Sequence, residues 1–304
     1  MEFQFIHEID TKQSALRAVR FSIDGEYCIT CGSDRKLKLW NPVRNALLKT
    51  YSGHGDEVMD VSAACDSSQI ISCGLDKSVI LWDVSTGNPL RRFRGHAGGI
   101  TTVRFNEESS MAISGSRDNK VMCWDIRSKA QDPVQILQEA KDAISSVRIN
   151  DHEILTASFD GRIRRYDIRA GNLVTDCIGD AITCASFTRD GQCIVASCAD
   201  GIIRLFDKDT GELLNEYKGH KVDDLCLESS VDSNDTKILS GSADGRLWIW
   251  DLANQEVVGK LIGNNLSKYP TVSLSVHPQK NCILATNGSK ILMWKEQSQS
   301  DAIE

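Results

Sequence analysis

Apolar and polar residues alternate in short runs along the chain, as in "KLKLWN" (36–41), "SVILWD" (78–83), "VMCWD" (121–125) and "RLWIWD" (246–251). Alternation with period two sends successive side chains to opposite faces, so these runs predict short β-strands. Turn sequences such as "DGE", "STGN", "RDGQ" and "DTGE" break them at regular intervals. No segment sustains a helical period. The pattern predicts an all-β chain.

The runs also repeat. Aligning "CGSDRKLKLWN", "CGLDKSVILWD", "GSRDNKVMCWD", "ASFDGRIRRYD", "SCADGIIRLFD", "GSADGRLWIWD" and "ATNGSKILMWK" gives an aromatic column of Trp40, Trp82, Trp124, Tyr166, Phe206, Trp250 and Trp294. The intervals are 42, 42, 42, 40, 44 and 44 residues. An aspartate stands six positions earlier in six copies: Asp34, Asp76, Asp118, Asp160, Asp200 and Asp244. Gly-His pairs open several units, at His54, His96 and His220. Four strands per period of 40–45 residues make a propeller blade. Seven copies predict a single seven-bladed β-propeller over residues 1–295. The last copy stops after its Trp294 strand, and "FQFIHEI" (3–9) has nothing of its own to pair with. Joining the two removes both free edges, so the N-terminal strand is expected to close the ring. Residues 296–304 read as a short polar tail, expected to be disordered.

Period, Gly-His openings and Asp-to-Trp spacing together resemble the WD-repeat family along the whole chain. Stretches such as "ALRAVRFSIDGEYCITCGSDRKLKLWNP" and "DKDTGELLNEYKGHK" resemble one branch of it. That resemblance implies a scaffold gathering components of a MAP kinase (ERK) cascade. The same branch is linked to a hypoxia-related prolyl hydroxylase and to spliceosomal complexes, so splicing factors are the second class of expected partner. "ISGSRDNKVMCWDIR" and "LTASFDGRIRRYDIR" resemble the box by which WD-repeat substrate receptors bind a cullin ubiquitin-ligase adaptor. Arg127 or Arg169 would be its basic residue.

Composition narrows the partners. A net charge of −7 on 304 residues opposes non-specific attraction to nucleic acid or anionic membranes. No apolar run approaches the roughly 18 residues of a membrane span. Eleven cysteines form an odd set, and the one C-x-x-C pair, Cys28 and Cys31, has no second pair at zinc spacing. Reduced thiols, no metal, no cofactor and no small-molecule substrate are expected, in a cytoplasmic monomer with nuclear access.

His54, Ser72 and Asp76 are the residue types of a hydrolase triad, as are His96, Ser114 and Asp118, and His220, Ser240 and Asp244. Installation three times at blade spacing argues for structure instead. The family resemblance implies buried hydrogen-bond sets ending on Trp82, Trp124 and Trp250. No phosphate loop, nucleophile elbow or zinc helix motif is present.

Function is then sought where copies disagree. Arg165 interrupts an apolar column within "GRIRRYDIR". Two readings stand: a bent-out or salt-bridged arginine in a degenerate blade, or a basic dock, made with Arg162, Arg164 and Arg169, for an acidic partner segment. The residues before each aspartate (Ser33, Leu75, Arg117, Phe159, Ala199, Ala243) should project on the narrow face. Arg17, Met59, Thr101, Ser145 and Thr183 should join them around the axis. Arg17, Met59, Leu75, Arg117 and Phe159 would combine apolar anchors with cationic handles, the composition of a protein-contact hot spot.

Overall fold

The computed structural model describes residues 3–264 and 269–296. They form seven four-stranded antiparallel sheets arranged as the blades of a ring. Blade two runs outward from the axis as Val58–Ala63, Gln69–Gly74, Ser78–Asp83 and Pro89–Arg94. Blades one and three to six repeat this order.

The aspartate column explains its own regularity. Each aspartate accepts the backbone N–H two residues on, as Asp34 does from Lys36, Asp118 from Lys120 and Asp200 from Ile202. The residue between is left-handed: φ is 64° at Arg35, 61° at Lys77, 66° at Asn119 and 80° at Gly201. Aspartate thus stabilises the turn joining the second and third strands, whatever else the blade contains.

Seven apolar clusters hold the ring, one between each neighbouring pair of blades. Leu37 and Tyr51 of blade one pack with Val58, Ile70 and Trp82 of blade two. Closure follows the sequence expectation. Phe3–Asp10 pairs with Lys290–Glu296, from Phe3 opposite Glu296 to Asp10 opposite Lys290, with one bulge at Ile6. Ile9, fully buried, joins Leu16, Trp40, Leu284 and Ile291 in the cluster linking blade seven to blade one. The tail expectation needs correction at its first residue. Glu296 ends this strand, is buried, and pairs with Lys237 at 2.5 Å. Residues 297–304 lie outside the described residues.

Blade four shows why Arg165 sits in an apolar column. In blades one, two and five an apolar residue of the third strand (Leu39, Leu81, Leu205) faces a polar one of the outer strand (Lys49, Arg91, Asn215). Those polar side chains donate to carbonyls of the next blade's outer turn: Lys49 to Val84, Arg91 to Ile126, Asn215 to Leu252. In blade four the pair is transposed, with Arg165 facing Val174. Arg165 reaches Glu153 at 3.4 Å, and Glu153 holds Lys208 of the blade-five turn at 3.0 Å. An ion pair replaces the carbonyl staple. The basic-dock reading is therefore corrected. Arg164 and Arg165 are buried, Arg164 against Asp160 at 2.6 Å, because successive strand residues alternate in direction. Arg169 stands outside beside Asp151 at 3.3 Å, so Arg162, Arg164, Arg165 and Arg169 form no common surface.

Candidate protein-docking site

Blades two and three contain the histidine sets. His54 Nε2 lies 2.7 Å from Ser72 Oγ, His54 Nδ1 3.0 Å from Asp76, and Trp82 Nε1 donates to Ser72 Oγ at 2.8 Å. His96, Ser114, Asp118 and Trp124 repeat this, each link at 2.9 Å. The contacts resemble a nucleophile triad, but the chemistry differs. Both serines are completely buried, and the tryptophan N–H occupies the oxygen that would attack. Burial raises the Asp76 carboxyl, yet hydrogen bonds from His54 and the Gly55 amide more than offset it, leaving the net shift downward.

Blade one builds the same chain without histidine. Gln13 donates to Asp34 at 2.9 Å and accepts from Thr30 at 2.6 Å, while Trp40 Nε1 donates to Thr30 at 3.1 Å. A carboxamide donates and accepts at once, as a neutral imidazole does. Gln13 lies ahead of the aligned unit, and the register of Thr30 with Ser72 was the signal for it.

The third set, His220, Ser240, Asp244 and Trp250, is not joined. His220 Nδ1 is buried without a partner among the described residues, Ser240 Oγ donates to the Gly241 carbonyl, and Trp250 Nε1 donates to the Lys218 carbonyl. His54 and His96 precede their aspartates by 22 residues, whereas His220 precedes Asp244 by 24. Trp248 stacks on Trp250 at 5.8 Å, and the segment before the inner strand Ser229–Val231 runs irregularly. Burial lowers His220 to about 4, against about 6.5 in an unfolded chain. Between pH 6.5 and 4 the unfolded state takes up a proton that the folded state refuses. Stability present above pH 6.5 is thus lost as pH falls toward 4. From pH 7 to 5 the wild type should lose roughly 1–2 kcal/mol more than His220→Gln in urea unfolding. Equal losses in both would contradict this assignment.

The axial channel opens on the narrow face into a cavity of about 280 Å³. Arg17, Met59, Thr101, Arg117, Ser145, Phe159 and Thr183 all line it. Two expectations change. Leu75 lies outside the mouth, against Gly99. Arg17 is spent on Glu57, which takes its Nε and Nη2 at 3.1 and 2.8 Å. Arg117 is exposed and has no ion-pair partner among the described residues. The irregular segment before blade six adds Leu225, Cys226 and Leu227 to the rim. Consecutive left-handed residues, Asp223 and Asp224, bend it there at φ 44° and 58°. No period marks a loop like this in sequence.

Below the mouth, a charged belt crosses the axis. Asp60 takes Arg20 at 2.9 Å and Arg104 at 2.5 Å, and Glu228 takes Arg20 at 2.7 Å and Arg148 at 2.5 Å. Burial raises both carboxyls, but arginines prevail and the net shifts are downward: Arg104 and Arg20 act on Asp60, Arg20 and Arg148 on Glu228.

A closed seven-bladed ring with recurring His–Ser–Asp–Trp chains and an open, rimmed mouth defines a WD-repeat propeller. The WD domain, G-beta repeat model matches residues 3–41, 45–83, 87–125, 171–207 and 211–251, more than half of the chain. The chain belongs to this family. The unmatched blades are four, with Tyr166 and its arginines, and seven, where "NGS" replaces the aspartate turn. The chain is 58% identical over 291 residues to WD repeat domain-containing protein 83 of Rattus norvegicus, covering 95% of this chain and 91% of that one. It is 55% identical to the Homo sapiens protein of that name with the same coverage. A Dictyostelium discoideum homolog is 33% identical, covering 95% and 97%. Fold and relatives point to a non-enzymatic protein-interaction scaffold.

Proposed function

We propose that the ring is a cytoplasmic, monomeric scaffold that assembles components of an ERK-type MAP kinase cascade through its narrow face. The observation that carries the docking site is Arg117: an unpaired guanidinium beside Met59 and Phe159 over an apolar-rimmed opening. A planar guanidinium pairs a carboxylate with two hydrogen bonds while its stem packs on apolar neighbours. A short acidic–apolar partner segment meets both demands. The choice of cascade rests on the resemblance of the chain to its branch of the family. Affinity purification of the full chain from its own cells tests it. Kinases and their adaptors are expected; recovery of splicing proteins or of a ubiquitin-ligase adaptor in their place would overturn the kinase assignment. In the last case exposed Arg127 is the residue to replace.

A further inference from the structure

The opposite mouth of the channel has a different chemistry. A cavity of about 220 Å³ opens there, lined by Arg20, Arg104, Arg148 and Arg189, by the single carboxylate of Glu228 that Arg20 and Arg148 already engage, and by Ser275. Arg189 stands in the turn between the strands Ile182–Phe187 and Cys193–Cys198, at the far end of the ring from the Arg117 turn. We propose that this mouth is a binding site for a phosphate dianion, free or carried on a phosphorylated side chain.

The first support is charge. Among the described residues, Arg20, Arg104 and Arg148 share only Asp60 and Glu228, which leaves one buried positive charge uncompensated. Arg189 brings another, and among the described residues its side chain meets only the Pro278 carbonyl, at 3.1 Å. The carboxylates nearest in the chain are engaged: Asp235 caps the amides of Arg189 and Asp190, while Asp190 holds Thr188 and the Gln192 amide. Burial lowers Arg104 to about 10 in spite of Asp60, with Arg148 and Arg20 pushing the same way. An anion would relieve that repulsion.

Donors and space agree. Arg20 Nε is buried with no hydrogen-bond partner among the described residues. Ser275 Oγ accepts the Phe21 amide at 3.1 Å, which leaves its own proton free to donate. Guanidinium forks match tetrahedral oxyanions in bidentate fashion. The volume lies below the roughly 300–1,000 Å³ of pockets for drug-sized ligands. It suits a single phosphate group better than a nucleotide.

The test titrates the full-length protein with inorganic phosphate and, separately, with a short phosphoserine peptide, by calorimetry and melting at matched ionic strength. Saturable binding that raises the melting temperature, absent with chloride, is expected. Equal affinity for both probes assigns a free anion; binding of the peptide alone assigns a phosphorylated partner. Arg189→Glu, on the exposed rim outside the belt, should keep the fold and weaken binding by about tenfold or more. Arg148→Gln, read the same way, checks the belt side. No phosphate-specific response, or undiminished binding by Arg189→Glu, would overturn the site.

Discussion

A chain lacking residues 1–10 should unfold at a free energy lower by about 4 kcal/mol or more, and melt roughly 8 °C or more below the intact protein. The truncation removes the outer strand of blade seven and its ladder from Phe3–Glu296 to Asp10–Lys290. It removes Ile9, whose complete burial contributes about 1.5–3 kcal/mol. Phe5 leaves the edge of Trp294, 6.1 Å between ring centroids, an aromatic contact of about 0.5–1.5 kcal/mol. Blade seven then presents an unpaired edge strand, Lys290–Glu296, which also favours aggregation. Thermal and urea unfolding measure the loss. A truncated chain melting within a degree or two of the intact one would show that the ring closes otherwise.

Asp60→Ala should be comparably severe, at about 3–5 kcal/mol. Asp60 is 3% exposed and receives Arg20, Arg104, the Thr102 hydroxyl and the amides of Val61 and Val103. Without it Arg104 keeps no carboxylate nearer than Glu228, at 4.0 Å. A buried guanidinium then lacks its counter-charge, which is costlier than the pair was stabilising. Alanine also leaves a void, and the Thr102 hydroxyl and the Val61 and Val103 amides lose their acceptor with the two arginines. Urea unfolding reads the change, and a loss under about 1 kcal/mol would mean that water or rearrangement replaces the carboxylate.

The closing strand and the charged belt differ in how openly the sequence carried them. Closure was legible because strand pairing is a matter of counting: seven third strands, one missing partner, one spare strand. The aspartate column was legible because an Asx turn is local, spanning three residues. The belt was not, since Arg20, Asp60, Arg104, Arg148 and Glu228 come from five blades and meet only when the ring closes. A trace of it was present in "VRF" at 19–21, "VRF" at 103–105 and "VRI" at 147–149, which put the arginines at one strand position. At the docking mouth, Met59, Arg117 and Phe159 followed from blade register. Arg17 also took its expected place at the mouth, but its pairing was hidden, because its partner Glu57 sits one blade away. Leu75 did not, because a turn residue leans toward whichever neighbour leaves room, here Gly99. His220 failed for a countable reason, two additional residues before Asp244.

The central claim is that the ring works by docking proteins at the narrow-face mouth and performs no chemistry there. The most direct measurement compares the wild type with a chain carrying Arg117→Glu and Phe159→Ala, by melting and by quantitative affinity capture from the same cells. The melting temperature should stay close to wild type, since Arg117 is exposed and Phe159 only half-buried. At least one partner should be lost, with binding weakened by about 1–3 kcal/mol, the range of a desolvated charged hydrogen bond. Retention of every partner at wild-type level by the folded double variant would contradict the account and move the docking site to another face.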